Sequence, residues 1–120
     1  MTAPAGEQLR ESAAVLHWFA SARHDGVPEE EQQRYLSLLG DFAEFAGMAP
    51  DELVAFCFLR KKDTGERFSS VKRRGEVNLW IQGWVKERGF TGKDAVANGN
   101  VVRGFFIHNG VLIQGHAWRG

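Results

Sequence analysis

The chain has 120 residues, 43% of them apolar and 25% charged, with nine Phe and four Trp; this suits one compact domain with its own core and leaves no room for two. The formal net charge is zero, but residues 1–59 carry three Arg against ten acids, a net −7, and residues 60–120 carry twelve Lys/Arg against five acids, a net +7. No run reaches the roughly 18 apolar residues of a membrane span, Met1 to Gly6 lacks the basic and apolar regions of a secretory signal, and the single cysteine, Cys57, has no disulfide partner in the chain, so a cytoplasmic protein is expected.

Residues 1–6 read as disordered. From Glu7 to Arg23 the apolar positions Leu9, Ala13, Leu16, Phe19 and Ala20 fall on one helical face, and Asp25-Gly26-Val27-Pro28 forms a turn. A second helix is predicted over 28–46. Pro28 and Glu29, Glu30 and Glu31 suit its positive end, Tyr35, Leu38, Leu39, Phe42, Phe45 and Ala46 form its stripe, and Gly47 is its cap. Pro50-Asp51-Glu52 opens a short helix through Leu53, Val54, Phe56 and Cys57. A competing reading makes Val54 to Leu59 a strand, closed by Asp63-Thr64-Gly65 onto Phe68 to Val71 as a hairpin.

Val77, Trp80, Ile81, Trp84 and Val85 give the clearest amphipathic helix, running from Ser69 or Ser70 to Gly89. A last helix is predicted from Thr91, as N-cap with Asp94 in a capping-box arrangement, to His108, ended by Asn109-Gly110. Gly99 and Gly104 inside it each cost about 1 kcal/mol relative to Ala, which points to close approach of another backbone or to a marginal helix. Residues 111–120 read as a tail or linker. The expected fold is a single all-α domain over 1–120.

Within residues 60–74, Arg60, Lys61, Lys62, Arg67, Lys72, Arg73 and Arg74 oppose only Asp63 and Glu66, a net +5. Phosphate neutralisation is a common use of such an excess, because each contact releases condensed counterions; the alternative is a loop kept soluble by its charges. No Gly-rich phosphate loop, Cys/His metal spacing or nucleophile elbow is present, so neither a cofactor nor a metal is expected. The four histidines are scattered, Cys57 reads as a small buried hydrophobe, and Trp80 and Trp84 read as core. Tyr35, the only tyrosine, lies on the apolar stripe of the second helix.

The order of several motifs carries a resemblance. A helix containing Phe42-Ala43-Glu44-Phe45-Ala46-Gly47 is followed by Pro50-Asp51-Glu52-Leu53; a later helix closes before Gly89-Phe90-Thr91; the last contains Val102-Arg103-Gly104-Phe105-Phe106 before Asn109-Gly110. Over residues 33–112 this resembles the core-binding domain of tyrosine recombinases, the SAM-like N-terminal domain of phage and archaeal integrases. The sequence departs from that pattern at Gly92, where Pro is frequent, at Asn98-Gly99-Asn100, and in the longer, more basic stretch from Arg60 to Gly75.

The resemblance implies a compact orthogonal bundle of four to five helices that grips double-stranded DNA and pairs with a separate recombinase catalytic domain. It also implies DNA contacts at Lys93, Asn98, Asn100 and Arg103, although Arg103 beside its apolar neighbours can equally be structural. Recombinase chemistry needs a Tyr nucleophile beside Arg and His groups that stabilise the transition state. Here His116-Ala117-Trp118-Arg119 matches a His-x-x-Arg pattern with no Tyr after it, and reads as coincidence. The expected function is therefore non-catalytic duplex DNA binding. The rivals are a helical module docking an acidic protein through its basic loop, and a small enzyme built on the histidines.

Overall fold

The computed structural model describes residues 6–113. In chain order they form α1 (Gly6–Glu11), α2 (Ala13–Ala22), a 3-10 turn (His24–Gly26), α3 (Glu29–Ala46), α4 (Pro50–Phe56), β1 (Phe58–Arg60), β2 (Arg67–Ser69), α5 (Val71–Glu87) and α6 (Gly92–Ile107). The expected mostly helical bundle is borne out, with six α-helices among the described residues and one two-stranded hairpin. None of these helices is long and apolar enough to cross a membrane.

The single helix expected over 7–23 is broken at Ser12. Its hydroxyl accepts the Val15 N–H at 3.3 Å as the N-cap of α2. It also donates to Asp51 Oδ1 at 2.8 Å, and the same oxygen accepts the Ala14 N–H at 2.8 Å. Two side-chain acceptors thus satisfy the first amides of α2, and one of them arrives from α4. The break resets the buried face to Ala14, Val15, Trp18 and Phe19, and leaves Ala13, Leu16 and Ala20 exposed.

α3 follows the sequence closely. It buries Leu36, Leu39, Phe42 and Ala43 and half-buries Tyr35, Leu38, Phe45 and Ala46. It ends at Gly47 (φ +74°), whose N–H donates to the carbonyls of Ala43 and Glu44. Pro50 opens α4, and the Glu52 carboxylate reaches back to the Ala49 N–H at 3.0 Å. The two readings of residues 54–74 are both partly right. The helix persists to Phe56, and the hairpin follows it with register Phe58↔Ser69, Leu59↔Phe68 and Arg60↔Arg67.

α5 starts on Ser70, whose hydroxyl accepts the Arg73 N–H and whose own N–H donates to the Cys57 carbonyl. Val77, Ile81 and Trp84 are fully buried, while Trp80 and Val85 are half-buried. Trp84 Nε1 donates to Asp41 Oδ2 at 2.8 Å, and Arg88 grips the same carboxylate at 2.7 and 3.2 Å. α6 packs on α5, but the capping box expected at its start is absent: Thr91 makes no side-chain cap bond.

Two expectations about the ends are corrected. Gly6 already opens α1, and residues 1–5 lie outside the described residues. Val111 and Ile113 belong to the core, at 0% and 5% exposure, rather than to a tail. Their side chains are apolar, and Asn109 Nδ2 anchors the turn before them by donating to the carbonyls of Ala14 and Phe105. Residues 114–120, including His116 and Arg119, lie outside the described residues.

Candidate nucleic-acid interface

The hairpin lifts four of the expected cations away from the bundle. Lys61 N–H donates to the Glu66 carbonyl and extends the ladder by one pair, and Gly65 (φ +72°) returns the chain by donating to the Lys61 carbonyl at 2.8 Å. Asp63 Oδ1 takes the Thr64 N–H, and Thr64 Oγ1 takes the Glu66 N–H, so the tip is closed by its own side chains.

The strand pairing puts Arg60 directly opposite Arg67. Side chains of directly paired residues share a face, and like charges there repel. The Arg67 guanidinium carbon lies over the Phe58 ring, 3.7 Å from its centre. Arg60 donates one N–H to the Gly65 carbonyl at 3.0 Å. Neither arginine has a carboxylate partner among the described residues. Both line one open concavity of about 400 Å³ between the hairpin and the end of α4, with Ala55, Phe58 and Leu59. The pleat sends Leu59 and Phe68 to the other face, where each stays more than a third exposed. On that face Lys61 pairs with Glu66 at 3.5 Å. Lys62 and Lys72 are exposed, with no ion-pair partner among the described residues.

Arg73 and Arg74, expected on phosphates, are half-buried, and each spends a donor on the fold. Arg73 Nη1 donates to the Phe56 carbonyl at 3.0 Å while its guanidinium covers the Phe56 ring. Arg74 Nη1 donates to the Leu112 carbonyl at 3.0 Å, and its Nε is buried without a hydrogen-bond partner. Together they tie the start of α5 to the end of α4 and to the C-terminal segment.

The α6 positions form no common surface with the hairpin. Lys93 is exposed at the start of α6, whereas Phe58 packs near Gly110, past its other end; a helix of 16 residues separates those ends by about 24 Å. Asn98 is half-buried. Arg103 is 3% exposed, with Nε on Asn78 Oδ1 at 2.9 Å and Nη1 on Asn100 Oδ1 at 3.3 Å. Arg103 and Asn100 are thus engaged with each other inside the α5–α6 contact, because the apolar pairs flanking Arg103 turn this side of α6 inward. Arg103 is therefore withdrawn as a DNA contact.

Sequence reasoning missed Phe58 as the platform for Arg67. The signal was the period-two alternation of Phe58 and Arg60 against Arg67 and Ser69 around Asp63-Thr64-Gly65, which yields this pairing once the hairpin is chosen.

Away from the hairpin, Cys57 is fully buried and its thiol is pushed up to about 11 by burial. The Tyr35 phenol is raised, first by burial and then by its hydrogen bond to Glu31. Ser21 Oγ and His108 Nδ1 are 2.7 Å apart. No group of three or more His, Cys, Asp or Glu side chains among the described residues could hold a metal ion. No family model, curated protein or solved structure matches the chain.

Proposed function

We propose that this chain binds double-stranded DNA without catalysing a reaction, as a cytoplasmic, core-binding-like module for DNA recombination or integration that works beside a separate catalytic domain. The reading is carried by the uncompensated charge at the hairpin end of the bundle. Among the described residues a single ion pair, Arg88–Asp41, joins the acidic half of the chain to the basic half. The acids of residues 1–59 therefore do not neutralise Arg60, Lys62, Arg67 and Lys72, which stay exposed. Cations raised on a protruding ribbon suit the sugar–phosphate backbone, where contacts position a protein without reading sequence.

The second reading, docking of an acidic protein, is favoured by the exposed Leu59–Phe68 pair, since protein interfaces centre on apolar side chains. Fluorescence anisotropy with a random-sequence duplex over a salt series separates the two. Replacing Arg60, Lys62, Arg67 and Lys72 together with Ala is expected to weaken binding to all duplexes alike. The slope of log K against log salt should fall by about 3, at roughly 0.9 per phosphate. An unchanged slope would remove the DNA reading.

A further inference from the structure

The cross-strand pair Arg60↔Arg67 is the least expected feature of the hairpin. Two guanidinium groups occupy directly opposed positions, where like charges repel, with no carboxylate to relieve them among the described residues. Their orientations are nonetheless specified. The Phe58 ring, 3.7 Å below it, holds the Arg67 guanidinium in place, and the Gly65 carbonyl holds Arg60 by one N–H. Each guanidinium has five N–H donors. Arg67 spends none on an acceptor among the described residues and Arg60 spends one. Both arginines border one open concavity of about 400 Å³. Pre-oriented, unspent donors of one sign around a single hollow describe a site for a tetrahedral oxyanion, because a planar fork matches two of its oxygens at once.

We infer that Arg60 and Arg67, opposed across the hairpin and oriented by Gly65 and Phe58, form a two-guanidinium clamp for a phosphate group of the DNA backbone. This rests on the DNA reading above and narrows it: the clamp supplies geometry, whereas Lys62 and Lys72 supply charge alone. The stack on Phe58 lowers the ordering cost of Arg67 before the phosphate arrives.

Two measurements test the clamp. In the first, Arg60 and Arg67 are replaced together by Lys, which keeps both charges and removes both forks. Duplex affinity is expected to fall about tenfold while the salt slope stays that of the wild type; Arg34→Lys, the same change at an exposed arginine of α3 paired with Glu31 and away from the hairpin, is expected to leave affinity within about twofold. A double-Lys variant that binds as tightly as the wild type would overturn the clamp and leave the charged-hairpin reading standing. In the second, NMR follows the Nε–H signals of Arg60 and Arg67 as inorganic phosphate is added to the wild-type protein, against chloride at equal ionic strength. Both signals are expected to shift with phosphate and neither with chloride. Shifts equal in the two salts, or shifts absent, overturn the clamp. A wild-type protein that retards no duplex yet shows the phosphate shifts would overturn the DNA reading and keep the oxyanion site.

Discussion

Nη1 of Arg103 lies 2.7 Å from the point where a Cβ on Gly99 would stand, so the guanidinium occupies the space that glycine leaves on its own helix. Gly99 is buried in the middle of α6, where glycine costs about 1 kcal/mol relative to alanine. The arginine it accommodates is almost fully buried, is held by the neutral oxygens of Asn78 and Asn100, and has its proton affinity lowered by desolvation. Gly99 thus leaves the room in which the Arg103 guanidinium lies, and the two residues should be energetically coupled.

Gly99→Ala is expected to destabilise the fold by about 1 kcal/mol, because displacing Arg103 from its amide partners outweighs the gain in helix propensity. Gly75→Ala, on α5 with open space around it, should instead stabilise by about 0.5–1 kcal/mol. In an Arg103→Met background the flexible thioether can move aside, and Gly99→Ala should become neutral or stabilising. Urea unfolding of the four proteins in this double-mutant cycle measures the coupling. Arg103→Met should also leave DNA affinity and its salt slope unchanged, since no surface cation is lost.

Lys72, Arg73 and Arg74 are adjacent in sequence but should separate sharply on mutation. Lys72→Ala is expected to leave stability within about 0.5 kcal/mol and to reduce the salt slope of DNA binding by about 0.9. Arg73→Ala and Arg74→Ala each release a carbonyl, of Phe56 or of Leu112, and should each cost about 1–2 kcal/mol. Paired melting curves and anisotropy titrations resolve the three. A stable Arg74→Ala protein with weakened DNA binding would return that residue to the interface.

His24 gives the molecule a pH dependence. Its ring stacks on Tyr35 at 4.3 Å and meets Trp18 and Phe19 edge-on. Its pKa is lowered, first by burial and next by His108, against smaller opposing effects of Glu31 and Asp25. A depressed histidine contributes stability that is complete above its unfolded value of about 6.5 and is lost as pH falls toward its folded value. The urea midpoint should therefore drop as pH is lowered below about 6.5. His24→Phe, which keeps the stack without the titrating nitrogen, should flatten that part of the profile. An NMR titration placing His24 above its ordinary value would reverse the sign.

Tyr35 is expected not to act as a nucleophile. Burial and the adjacent Glu31 carboxylate raise its phenol, which disfavours the phenolate that an attacking tyrosine must form. Incubation with supercoiled DNA should produce neither nicks nor a covalent adduct. An adduct mapped to Tyr35 would require that side chain to leave its place against His24 and Trp18.

Local sequence determined most of the helices, because periodicity and caps act over a few residues. The stripe Val77, Ile81 and Trp84, the Gly47 cap and the Pro50 start all stand where those local rules put them. The turn chemistry of Asp63-Thr64-Gly65 made the hairpin available, and with it the pairing of Arg60 with Arg67. Tertiary structure decided the rest, since the deciding partners are distant in the chain. Ser12 ends a helix that the apolar pattern would continue, and Asp51, 39 residues on, completes the new cap. Arg73 and Arg74 carry the same charge as Lys72 and are drawn inward by carbonyls at Phe56 and Leu112, the latter 38 residues away from Arg74. Charge is legible residue by residue; whether it meets water, a backbone carbonyl or a phosphate depends on which surfaces the bundle covers.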